Sequence, residues 1–250
     1  MKKSFLNATK PWLTAFLIEP EMEDNLRLMK KAIDEGADSV AVEITRLDPK
    51  YWNENDLKRL FAAAGDKPIY SCCYRWSFGE GKTDEELSEL SLLCARCGST
   101  LIDVMGDLYH PEPCQMTFDE KAVEKQKQLI AQIHALGSEV LMSAHNGGFY
   151  GPEQIAEWMK AQEERGADVA KDISVSDTEQ QLLSALETFK LLNKTLKIPY
   201  LFMTGGKFCY LTRELCGRLG GFMYLGKTST EGAQPDVATL KYMRDELTLL

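Results

Sequence analysis

GADVAKDISVSDTEQQLLSALETFKLLNKT, residues 166–195, is the stretch whose reading decides the fold. Gly166 closes a preceding helical pattern, because the left-handed position after a helix costs glycine little. Asp168–Ile173 then reads as a short strand, apolar on both faces, as strands covered by helices are. Thr178–Thr195 carries Leu182, Leu183, Leu186, Phe189 and Leu192 at helical spacing, which predicts a helix with an apolar face. Strand, helix and closing glycine form one unit, and that unit recurs along the chain.

Upstream, strands are predicted at Trp12–Ile18, Ser39–Ile44, Pro68–Tyr74, Leu101–Met105 and Glu139–Ala144. Helices are predicted at Glu21–Glu35, Glu54–Ala64, Asp84–Arg96, Asp119–Leu136 and Pro152–Arg165. Downstream, Pro199–Met203 and Phe222–Leu225 read as strands, with helices near Thr212–Arg218 and Asp236–Leu247. Eight such units in 250 residues predict an α/β fold, a closed (β/α)8 TIM barrel more than an open doubly wound sheet. No Gly-x-Gly-x-x-Gly follows the first strand, so a dinucleotide fold loses its main signature. With no linker or low-complexity segment in view, residues 1–250 are expected to form a single catalytic barrel domain.

Composition narrows the function classes. The chain is 44% hydrophobic and 27% charged, an ordinary globular balance. Acidic residues outnumber basic ones 38 to 29, for a net charge of -9, which disfavours a nucleic-acid-coating surface. No run approaches the ~18 apolar residues of a membrane span. The opening MKKSFLNATKPWLTAFLIEP is basic and then apolar, but Pro11, Glu19 and Pro20 interrupt it, so it is read as a first strand. Seven cysteines are expected as reduced, mostly buried thiols in a cytoplasmic protein. Cys94 and Cys97 lie in a helical pattern without a second ligand pair, so no metal is called for there.

A barrel places its chemistry at the C-terminal ends of its strands. There the sequence offers Glu43 and Arg46, Arg75, then Asp103, Met105 and Asp107 with His110 beyond, and Ser143, His145 and Asn146. It continues with Lys171 beside Asp172, a Thr204–Lys207 turn, and Lys227, Ser229 and Gln234. Lys171 interrupts an apolar strand, where a lysine snorkels, pairs or reacts. Facing inward, a desolvated amine is partly neutral and attacks a ketone or aldehyde to form an iminium. Facing outward, it pairs with a carboxylate. His145 tops the neighbouring strand and suits proton transfer beside that iminium, or a structural role. Arg213, read at the start of the helix after strand seven, suits a carboxylate, or a surface position.

VLMSAHN around His145, GADVAKDISV around Lys171, MTGGKFCYLTR ending at Arg213, and TSTEGAQ before the last helix carry a resemblance. In this order they resemble the type I 3-dehydroquinate dehydratase family, over nearly the whole chain. The resemblance implies a Schiff-base lyase of the shikimate pathway of aromatic biosynthesis, cytoplasmic and homodimeric, acting on 3-dehydroquinate or a related cyclic keto acid without a cofactor. It implies Lys171 as the imine former and His145 as the acid and base. Arg213 would hold the substrate carboxylate, Glu43, Arg46 and Arg75 would contact substrate, and Ser229 and Gln234 would close over it. The sequence departs from the family pattern in several places. Met105 stands where the family has a glutamate beside the histidine, and a thioether cannot orient an imidazolium. His145-Asn146-Gly147 replaces His-Asp-Phe, and the closing segment lacks its usual proline. A class I aldolase-like lyase and a non-catalytic keto-acid-binding barrel are the alternatives; a phosphate cradle after strands seven and eight would favour the aldolase.

Overall fold

The computed structural model describes residues 4–228 and 235–246. Eight strands alternate with eight α-helices: β1 (Trp12–Leu17), α1 (Met22–Asp34), β2 (Ser39–Glu43), α2 (Glu54–Ala62), β3 (Ile69–Cys72), α3 (Asp84–Cys97), β4 (Leu101–Met105), α4 (Glu120–Ala135), β5 (Glu139–His145), α5 (Pro152–Glu164), β6 (Val169–Val175), α6 (Glu179–Thr195), β7 (Tyr200–Gly205), α7 (Cys209–Leu215), β8 (Met223–Lys227) and α8 (Val237–Asp245). Every ladder is parallel, each strand lies beside the next, and β1 pairs with β8. Strands β7 and β8 meet where the Phe222 N–H donates to the Tyr200 carbonyl at 2.7 Å. The sheet thereby comes round into the (β/α)8 barrel expected from the sequence.

Local chemistry sets the punctuation. Thr178 and Gln181 form a reciprocal capping box at the start of α6, as Thr83 and Glu86 do at α3. Gly98 and Gly166 close α3 and α5 at φ 108° and 100°, a region that penalises any side chain. At the N-terminal end of the barrel, Phe5 is fully buried against Trp12. Its N–H donates to Glu139 at 2.9 Å, and the Trp12 indole N–H donates to its carbonyl at 2.8 Å. Residues 5–7 are a short 3-10 turn ahead of the strand.

Several details depart from the sequence reading. On α6 the buried residues are Ala185, Thr188, Phe189 and Leu192, while Leu183 and Leu186 face solvent. A leucine-rich helix offers two apolar stripes, and packing selects the one against β7 and α5. The helix after β7 begins at Cys209, not Thr212, so Arg213 sits in its last turn rather than at its start. The helix predicted to reach Leu247 ends, among the described residues, at Asp245.

Candidate active site

Alternation along β6 puts Lys171 on the barrel interior and Asp172 on the helix-covered side. Lys171 is 3% exposed. A buried ammonium is costly unless its protons are used. Here it donates to the Tyr74 hydroxyl at 2.9 Å, the Tyr70 hydroxyl at 3.1 Å and Asp103 Oδ2 at 3.4 Å. Both phenols in turn donate to the same Asp103 oxygen, Tyr74 at 2.6 Å. Ser143, level with Lys171 across the β5–β6 ladder, donates to Asp103 Oδ1 at 2.5 Å. The barrel interior thus holds a closed polar layer from β3, β4, β5 and β6. Burial and the Asp103 charge hold both phenols well above the usual tyrosine range.

Sequence reasoning singled out Lys171, Asp103 and Ser143 but missed Tyr70 and Tyr74. Their signal is the period of two through Tyr70, Cys72 and Tyr74, which puts three side chains on one face. After β3 the Tyr74 N–H leaves the ladder for Thr45 Oγ1, and Trp76 stacks on the Tyr74 ring at 4.2 Å.

His145, at the end of β5, packs edge-on to Tyr74 with ring centroids 4.9 Å apart and lies 5.4 Å from the Trp76 ring. Its backbone N–H is held by Gln115 Oε1 at 3.0 Å. Its Nε2 is buried without a hydrogen-bond partner among the described residues. Burial first, then the charges of Lys171 and Arg213, hold its pKa well below the ordinary histidine value. The imidazole is held neutral, and its Nε2 is engaged by no described group. Met105 is buried in the core and supplies it no carboxylate.

Arg213 projects from α7 and is buried. Among the described residues one guanidinium nitrogen reaches the Met203 sulfur at 3.4 Å, and Nε has no partner. Desolvation lowers its pKa. A buried guanidinium with unmet donors is a receptor for an anion.

Glu43, at the end of β2, is buried, accepts from the Trp76 indole, and faces Arg46 at 3.4 Å. Burial raises its pKa against the pull of Trp76 and Arg46. Glu43 also feels the Lys171 charge, so it borders the same interior. Arg75 is differently placed. Its guanidinium is spent on protein: Asp84 at 2.7 and 2.9 Å, Asp107 Oδ1 at 2.8 Å and the Asp107 carbonyl at 3.0 Å. It ties the start of α3 to the loop after β4. The resemblance implies a substrate contact; in the structure four of its five N–H donors are engaged by Asp84 and Asp107.

The turn after β7 is already covered by a carboxylate. The Lys207 N–H donates to Asp177 Oδ1 at 2.8 Å, and a Cβ at Gly206 would meet that oxygen. An acidic cover disfavours phosphate. Gly220 and Gly221 precede β8, at the end of the barrel away from the strand C-termini. Ser229 and Gln234 lie outside the described residues. Of the remaining histidines, His134 on α4 pairs with Asp168 just before β6, and His110 with Thr117 and Glu112 in a rim loop. The seven cysteines form no disulfide, and Cys94 and Cys97 join no metal-holding group among the described residues. On the outer side of β6, fully buried Asp172 accepts from Asn146 Nδ2 at 2.9 and 3.0 Å; burial pushes its pKa up to about 8.

Fold and interior together define a (β/α)8 barrel that gathers the Lys171 amine and the His145 imidazole, with the Arg213 guanidinium of α7 near enough to act on the imidazole's charge. The type I 3-dehydroquinase family model matches residues 13–250, and the chain belongs to that family of lyases. Solved structures agree on the fold. The 3-dehydroquinate dehydratase of Geobacillus kaustophilus superposes with a TM-score of 0.80 at 17% identity, covering 95% of this chain and 91% of that one. The type I enzyme of Clostridium difficile, solved with covalently modified comenic acid, gives 0.80 at 18% identity, covering 96% and 93%. The carboxyl transferase domain of Rhizobium etli pyruvate carboxylase gives 0.70 at 13% identity over 97% of this chain and 44% of that one. No curated protein sequence matches the chain. No described helix is long and apolar enough to cross a membrane.

Proposed function

We propose that the protein removes water from 3-dehydroquinate, or a closely related cyclic keto acid, through a Schiff base on Lys171, giving 3-dehydroshikimate. The observation that carries this reading is the interior lysine beside a histidine held neutral. Lys171 condenses with the ketone, and the iminium makes the adjacent carbon acidic. His145 takes the carbon proton and returns it to the departing hydroxyl, which leaves as water. Hydrolysis of the new imine frees the amine and the product. Arg213 holds the substrate carboxylate on its unmet donors, and Glu43 and Arg46 border the ring hydroxyls. As the family resemblance implies, Ser229 and Gln234 close over the substrate, while Arg75 shapes the rim through Asp84 and Asp107. The same reading makes the protein a cytoplasmic homodimer, which light scattering on the purified protein checks.

Incubation with 3-dehydroquinate and borohydride should fix one adduct on Lys171, located by peptide mass, and Lys171→Ala should abolish it. Label on surface lysines such as Lys160 instead would end the Schiff-base reading. An adduct without release of dehydroshikimate would favour the keto-acid-binding alternative.

A further inference from the structure

The closed layer around Lys171 also bears on how the amine is activated. We infer that Asp103 and Tyr74, backed by Tyr70, form a proton relay that activates Lys171 and carries away the carbonyl oxygen, leaving His145 to the carbon proton alone. The inference rests on the Schiff-base reading and goes beyond it, since nothing in that reading assigns the nitrogen and oxygen protons.

Condensation converts Lys171–NH3+ and a ketone into Lys171–NH+=C and one water. Two of the three ammonium protons must therefore pass from nitrogen to the departing oxygen, and none need come from outside. In the structure each of those protons already meets an oxygen, of Tyr70, Tyr74 and Asp103. Asp103 takes the first proton, which frees the nitrogen lone pair to form the C–N bond. The C=O π electrons move to oxygen, and the Tyr74 hydroxyl protonates it. Tyr74 recovers its proton from Asp103, to which it is joined at 2.6 Å. The second nitrogen proton follows the same route, the C–O bond breaks, and water leaves. Ser143 fixes the other Asp103 oxygen, so the carboxylate keeps Oδ2 towards the relay.

His145 is poorly placed to share this task. No hydrogen bond links its ring to Lys171, Tyr70, Tyr74 or Asp103 among the described residues, and Nε2 has no partner. Met105 gives it no carboxylate to stabilise a charged ring. Among the described residues, the other titratable or charged groups facing the cluster are Glu43 from β2, Cys72 from β3 and Arg213 from α7. Of these Cys72 is held protonated by burial, and Glu43 is engaged by Trp76.

The test uses the full chain and 2,4-pentanedione, a diketone that condenses with a reactive amine to an ultraviolet-absorbing enaminone whatever the native substrate. Wild-type protein should be labelled at Lys171, as read by peptide mass. Tyr74→Phe keeps the ring that stacks on Trp76 and His145, yet should slow labelling by roughly 10²-fold. Added weak acids of the phenol type should restore part of the rate in proportion to their concentration, which a merely structural role would not allow. Asp103→Asn should slow labelling at least as much and abolish the rise in rate with pH. Labelling of Tyr74→Phe at the wild-type rate, or a slowing that no weak acid restores, overturns the relay and leaves the Schiff-base reading standing. Wild-type protein unlabelled at Lys171 overturns both.

Discussion

Arg165 and Arg213 are both buried arginines without a carboxylate partner among the described residues, yet they are opposites. Arg165, after α5, donates to the Gly106 carbonyl and to Gln126 Oε1, each at 2.9 Å, and to the Thr117 carbonyl. Its fork replaces the water those oxygens lost and pins the loop between β4 and α4. Desolvation lowers its pKa to about 10, but its donors are used. Arg213 meets a thioether, and its Nε meets nothing described. Burial is therefore a poor marker of a functional cation; unmet donors are the better one.

The largest effect that would break this comparison is on stability. Arg165→Met leaves Gln126 Oε1 and the Thr117 carbonyl without a donor, while Gly106 keeps Gln126 Nε2 and the Thr117 N–H, and should cost roughly 3 kcal/mol in urea unfolding. Arg213→Met strands no partner and should cost under about 1 kcal/mol, or stabilise the protein. Equal losses would erase the distinction. Next is binding. On a Lys171→Ala background, calorimetric titration with 3-dehydroquinate should show affinity falling roughly 10²-fold on Arg213→Met, since a charge-assisted bidentate contact is lost. An unchanged affinity would move the carboxylate elsewhere.

Asp172 extends the comparison to a buried carboxyl whose hydrogen-bond partner among the described residues is an amide, that of Asn146. Its folded pKa of about 8 lies above the ordinary 3.8, so the folded state holds a proton that the unfolded state gives up. The associated stability is complete below about pH 4 and is lost as pH rises to about 8, by an amount on the order of a few kcal/mol. Asp172→Asn should flatten that slope in denaturation curves taken across the window. The smallest effect concerns His145. Arg213 is the last of the three causes that depress its pKa, so Arg213→Met should raise the histidine titration seen by NMR while leaving it below 6.5. No movement would mean that the two groups do not sense each other.

The β–α alternation was legible because each unit carries its own signals: closing glycines, helical apolar spacing and short two-faced strands. Lys171 was legible because an ammonium inside an apolar strand conflicts with burial. Its partners were not. Tyr70 and Tyr74 look like ordinary strand aromatics until β3, β4 and β6 are brought round one interior. The sequence reading expected a partly neutral amine from desolvation alone, whereas the barrel surrounds it with three acceptors. Arg75 gave no sign of its attachment to Asp84 and Asp107, because that pairing depends on how α3 docks. Arg213 was found, but its position in α7 was misjudged, since Phe208 and Tyr210 mask where the helix begins.

The meeting of β7 and β8 has a consequence for motion. The strand order runs from β7 round to β8 without a ladder between those two ends, and the Phe222 N–H to Tyr200 bond stands at that seam. Amides there should exchange with deuterium sooner than those of the β4–β5–β6 wall, because separating the seam ruptures little regular pairing. Segment α7, with Arg213, spans this seam between β7 and β8. An anion seated on that guanidinium would act as a clasp, slowing exchange at Tyr200 and Phe222 from inside the barrel.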